Sequence, residues 1–450
     1  MQPSGANPVI RDAVPPLLDT WLRALLIIVL ALPFLGQGIP YPGGVSFFVP
    51  VAVLLLPASV LLTIARRGRS GLIIGDPVFM IICVVVLLGY AYGILLSADY
   101  PGLSLMRDAI TGVVAMMVIF TLANGAWSKP DRESLVRAFA WTLLAIGVFV
   151  GVIGALKFWL FVTRGQMLGF VVAASSGPYP WGTSLVSDYN FYALTILTAI
   201  LSAMFLAAGR GRAVQVVLGL TVAVLLVIGF LAGSRRFWLA APLFIALQAA
   251  WMISANGFRR NLPLLATFVT LLIAVPLVLF AIFEDTLTHL MTAGWNLQYR
   301  LSTFLDSDSG FGLGTRLELW SSAADRLGGA APWIGSGFDY MRWFSCEFGD
   351  CSGAGYPHMP VLSAFLYGGI ISAIFVVAFY LYTTLAGFRL LAAGPVLGWL
   401  VFPMMAALVF AAISANGPLS IRTHVLLGAL CVGLLFAERA GAPAFELQDR

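Results

Sequence analysis

Apolar runs, each about twenty residues long, recur along the whole chain and leave a single long polar stretch, roughly 284–358. Such a run crosses the hydrocarbon core of a bilayer as one helix. Backbone amides in hydrocarbon find no water, so each segment must satisfy its own hydrogen bonds. Runs without strict alternation do this as helices and not as barrel strands. Hydrophobic residues at 60% and charged residues at 10% exclude both an ordinary soluble domain and a disordered chain. The expected fold is all-α, a polytopic membrane protein forming one membrane domain.

Hydropathy windows place twelve spans, near 19–37, 45–65, 77–97, 104–124, 135–162, 188–208, 213–232, 236–254, 263–283, 359–387, 395–414 and 422–437. Nine spans thus occupy residues 1–283, a long loop with short helices occupies 284–358, and three spans and a tail occupy 359–450. An even number of spans puts both termini on one side. The tails and the connections after even-numbered spans hold fifteen basic residues, against five (Arg107, Arg164, Arg235, Arg236 and Arg422) in the short connections after odd-numbered spans. By the positive-inside rule the termini are cytoplasmic and the long loop lies outside. The net charge of +5 does not point to nucleic acid, because only two of the 25 basic residues are lysines and the arginines are spread over many loops.

The first span follows Arg11 and Asp12 without a small-residue cleavage site and is expected to be retained. Cys83 and Cys431 fall in apolar runs, whereas Cys346 and Cys351 in the long loop are a disulfide candidate if the loop faces an oxidising compartment. No Cys-x-x-Cys pair or histidine cluster supports a metal site, and no cofactor is expected.

Chemistry is concentrated where charge interrupts these spans. Arg235 and Arg236 share a minimal turn on the side where insertion disfavours positive charge, at the depth of a lipid head group. Arginine suits phosphate because its guanidinium donates in a fork. In the long loop, Leu313, Leu317, Trp320, Ala324 and Leu327 form a helical stripe stopped by Gly328 and Gly329. Thr315 and Glu318 read as a capping box that places Arg316 on the first helical residue, a local anion site. His358 opens the tenth span between Pro357 and Pro360, with Tyr356 beside it, and can act as a proton acceptor. Asp188 and Asn190 begin the sixth span and are candidate sugar contacts, although helix capping also explains Asp188. Gly335-Ser336-Gly337 lacks the strand and lysine of a phosphate loop. Lys157, inside the fifth span, is expected to face protein or to snorkel.

Taken together, Gly-Ser-Arg at 233–235, Arg-x-x-x-Trp at 316–320, Gly-x-Gly at 335–337, Pro357-His358 and Tyr367-Gly368-Gly369 resemble the O-antigen ligase and Wzy polymerase superfamily, mainly over residues 188–387. That resemblance implies a bacterial inner-membrane glycosyltransferase that takes a glycan from undecaprenyl diphosphate at the periplasmic face. The acceptor would be lipid A core or a second lipid-linked glycan. It further implies that Arg235 and Arg316, with Arg236 as neighbour, hold the donor diphosphate and that His358 activates the acceptor hydroxyl. The family's asparagine after this histidine is replaced here by Met359, and its later acidic residue by Ser363.

The competing class is a twelve-span secondary transporter or lipid flippase. Against it stand the minimal link at Arg210–Arg212, where two six-span halves would need a long one, and the lack of an Asp-Arg-x-Gly-Arg motif. The sequence also suggests no acidic relay in mid-membrane.

Overall fold

The computed structural model describes residues 16–35, 48–67, 73–98, 103–125, 127–164, 189–232, 234–257, 259, 261–267, 269–270, 313–329, 333–348, 355–412, 419 and 421–441. Every regular element among them is helical: α1 (Pro16–Leu35), α2 (Phe48–Arg67), α3 (Pro77–Leu96), α4 (Leu103–Asn124), α5 (Lys129–Arg164), α6 (Tyr189–Ala207), α7 (Arg212–Leu231), α8 (Arg235–Asn256), α9 (Leu313–Gly329), a 3-10 turn (Gly337–Asp339), α10 (Tyr340–Phe348), α11 (Pro360–Ala393), α12 (Pro395–Gly398), α13 (Val401–Ala412) and α14 (Arg422–Gly441). Among the described residues, seven segments are long and apolar enough to cross a membrane by length and composition. Large apolar side chains such as Leu95, Leu239 and Ile81 stand on the outside of the bundle, as they do in a polytopic helical membrane protein.

Local chemistry sets the helix ends. Ser128 caps α5 through a reciprocal pair, its Oγ with the Asp131 carboxylate and the Asp131 amide with its Oγ, and Asp131 also accepts from Arg23 at 2.8 Å. Asp76 caps α3 by accepting from the Phe79 amide, and Pro77 occupies the first helical position. Further along α5, Lys157 is fully buried, so it faces protein. Residues of the ninth expected span beyond Thr270, and those of the long loop before Leu313, lie outside the described residues.

One end of the bundle is stepped. His424, the third residue of α14, meets the Tyr380 ring at 5.1 Å, twenty residues on from the start of α11 at Pro360. That separation corresponds to about 30 Å of helical path. Phe79 near the start of α3 packs on Phe379, and Gly93 near its end lies against Tyr367. The upper parts of α3 and α11 therefore rise as a wall beside the start of α14.

The wall is wedged open by the segment 333–348. Gly369 breaks α11 with φ 73°, which frees the Leu366 carbonyl, and Ser336 supplies the missing donors through its amide at 2.7 Å and its hydroxyl at 3.1 Å. Phe338 stacks on Tyr367 at 4.6 Å, while its amide donates to Ser97 Oγ at 2.7 Å. A Cβ at Gly335 would stand 2.6 Å from the Gly369 amide, and its φ of 72° also disfavours a side chain. The Gly-Ser-Gly turn is thus a structural wedge, seated on the Tyr-Gly-Gly break. Gly335→Ala is expected to cost about 2–4 kcal/mol from overpacking and left-handed strain, read as a lower thermal midpoint in detergent.

Candidate functional site

Three helix N-termini and one helix C-terminus meet at the foot of this wall. Ser234 caps α8 by accepting from the Phe237 amide, and its hydroxyl donates to Asn190 Oδ1 at 2.9 Å in the first turn of α6. Arg236, the second residue of α8, donates from Nη1 to the Phe410 carbonyl at 3.3 Å, near the end of α13. Phe191 of α6 packs on Ala411 and on Ile421, the residue immediately before α14. Each N-terminus presents free amides and the positive end of a dipole, worth about 0.3–1 kcal/mol to a nearby anion and more when desolvated. Arg236 simultaneously covers a carbonyl at the one negative end. The floor so formed favours anions.

Arg422 opens α14 on this floor and is 8% exposed. Its charge reaches Asp108, the sixth residue of α4. One acidic group therefore lies within the opening turns of a bundle helix, near its start and not in mid-membrane. In the sequence, Arg422 itself stands only as one of the minority of basic residues on the outer side. What could have singled it out is its place: an arginine opening an apolar run, as Arg235 and Arg236 do.

Below the α7–α8 turn an apolar cavity of about 390 Å³ opens between helices, lined among others by Phe230, Leu226, Pro242, Ile245 and Leu265. Its upper end adjoins the turn, because Trp238 donates from its indole to the Phe230 carbonyl at 3.2 Å. The cavity could hold a hydrocarbon chain whose polar head rests on the floor.

His358 tops the wall. It is the one non-glycine residue with positive φ among the described residues, at 55°. Histidine tolerates this left-handed region better than most, yet it still costs about 1–2 kcal/mol, and such strain is held only where the surroundings fix it. Here the fixing contacts are several. Trp320 of α9 donates to the Pro357 carbonyl at 2.9 Å, the Gly355 amide donates to Met341 O at 3.0 Å, and the Tyr356 and His358 rings lie 4.3 Å apart. The imidazole is half-buried and carried on a rigid support.

The expected residues divide accordingly. Asn190 and Arg236 come together on the floor, with Asn190 bracing two helix starts. Tyr356 and His358 come together at the top of the wall. Arg235 and Arg316 belong to α8 and α9, but their side chains lie outside the described residues, as do Asp188 and Cys351. Cys346 is disulfide-bonded, whereas Cys83 and Cys431 are buried free thiols.

Two local expectations for α9 need correction. The helix begins at Leu313, so Thr315 lies in its first turn instead of capping it and Arg316 is the fourth residue. The face turned inward carries Leu319, Trp320 and the fully buried Ala323, while Leu317 and Ala324 are exposed. The indole bond to Pro357 sets the rotation of the helix, and a hydrophobic stripe cannot anticipate it. Among the described residues, no group of three or more His, Cys, Asp or Glu side chains could hold a metal ion. No protein-family model matches the chain, and no curated protein matches it.

Proposed function

We propose that the protein is an integral-membrane glycosyltransferase that moves a glycan from undecaprenyl diphosphate to a sugar hydroxyl at the periplasmic face of the bacterial inner membrane. In this reading the chain crosses the membrane twelve times, with both termini cytoplasmic and 284–358 as the periplasmic loop. The observation that carries it is the basic floor of three helix N-termini with Arg236 and Arg422; the strained His358 heads the wall above it, across about 30 Å of helical path, and transfer requires that gap to close. A diphosphate suits such a floor, and the apolar cavity beneath the α7–α8 turn suits its polyprenyl tail. Arg235 and Arg316 would add donors, as the resemblance implies.

The reaction needs few parts. His358 takes the proton of the acceptor hydroxyl, whose oxygen attacks the anomeric carbon. The bond from that carbon to the diphosphate oxygen breaks, and undecaprenyl diphosphate leaves with the electron pair. Arginines and helix dipoles offset the charge that develops on the leaving group. The acceptor is lipid A core in a ligase and a second lipid-linked glycan in a polymerase.

Asp108, whose carboxyl feels the charge of Arg422, favours a second reading, since ionisable groups inside helical bundles mark transport paths. The protein would then move a lipid-linked anion across the membrane without cleaving it. Deleting the gene separates the readings through the surface glycan and the lipid-linked pool. A ligase leaves uncapped core with lipid-linked polymer outside, and a polymerase leaves single repeats on core. A transporter leaves lipid-linked repeats stranded on the cytoplasmic side, a result that would rule out the enzyme.

A further inference from the structure

The opposite end of the bundle holds a second concentration of donors, one with no part in the proposed transfer. Arg132 is 6% exposed and continues the buried stripe of α5 formed by Val136, Phe139 and Leu143, so it is no ordinary solvated arginine. With Ser128 as cap, Trp127 and Arg132 occupy the two positions that pack together across the start of a helix. Trp127 is also 6% exposed, and Arg23 of α1 lies over its ring at 5.1 Å. Arg132 Nε and Nη1, Trp127 Nε1 and Arg23 Nε are buried, and among the described residues none of them meets an acceptor. The acidic groups alongside bind Arg23 through its other end, Asp19 and Asp131 each taking Nη2 at 2.8 Å, and Asp131 also takes Ser128.

Four buried N–H donors belong to side chains set about one helix N-terminus, Arg23 on Trp127 and both Trp127 and Arg132 flanking the Ser128 cap, and call for a group rich in acceptors. A tetrahedral phosphate offers several oxygens and a charge for the guanidinium. We propose that Arg132, Trp127 and Arg23 form a phosphate-binding site between α1 and α5, distinct from the floor at the other end. The phosphate can be that of an anionic phospholipid head group or a free phosphate, and both present the same oxygens to these donors.

The test uses the purified full-length protein in detergent, with thermal unfolding as readout. One arm titrates inorganic phosphate against chloride at equal ionic strength, and the other titrates phosphatidylglycerol against a neutral glycolipid. A saturable rise in Tm is expected in at least one arm. Response to phosphatidylglycerol alone identifies a lipid head group, and response to inorganic phosphate identifies a soluble ligand. Arg132→Gln should abolish the response. Trp127→Phe keeps the ring under Arg23 but removes one donor, and should shift the midpoint by about three- to tenfold, which keeps the test decisive if Arg132→Gln does not fold. No saturable response in either arm, or an unchanged midpoint in Trp127→Phe together with a full response in Arg132→Gln, overturns the site.

Discussion

Replacing His358 with asparagine is expected to lower glycan transfer by about 10²- to 10⁴-fold without unfolding the protein. Asparagine is chosen because position 358 sits at φ 55°, a region that asparagine enters readily. The substitution therefore removes the proton acceptor while sparing the backbone, and the Trp320 bond to Pro357 is kept. His358→Gly relieves the strain entirely and should be just as inactive, whereas a β-branched residue there should destabilise the loop as well. Transfer is measured with a lipid-linked donor and thermal unfolding in parallel. Asparagine or glycine variants with near wild-type rates would confine His358 to a structural role.

Arg422→Gln is expected to destabilise the floor by about 1–3 kcal/mol, because it removes a long, nearly buried side chain from its packing and weakens the attraction to Asp108. Adding Asp108→Asn removes the electrostatic part and should recover some of that loss. Donor affinity should behave differently. The double variant regains some stability but still lacks a guanidinium at the start of α14, so it should bind polyprenyl diphosphate at least tenfold more weakly than the wild type. Full recovery of both properties would show that Arg422 serves Asp108 alone.

The elements were legible in the sequence because span hydropathy is a local property: α3, α6, α7 and α8 begin and end within a turn of the hydropathy windows. The Ser128 and Asp131 cap is local in the same way. What the sequence hid is set by distant partners. Tyr367-Gly368-Gly369 lies in an apolar run that reads as unbroken helix, and only the docking of Ser336 on Leu366 explains why it breaks. Arg422 and Arg132 were read through topology, as markers of sidedness, while their burial depends on neighbours far along the chain. The rigidity of the His358 support could be inferred from Pro357 and Pro360, but its left-handed backbone could not.

Reconstitution tests the proposed transfer most directly. Purified protein in lipid nanodiscs is incubated with an undecaprenyl-diphosphate-linked glycan, a chelator and candidate acceptors, and the products are separated by mass. Free undecaprenyl diphosphate together with an extended acceptor is the expected result, and neither product with His358→Asn. Intact donor after incubation of folded wild-type protein with both lipid A core and a second lipid-linked glycan would contradict it.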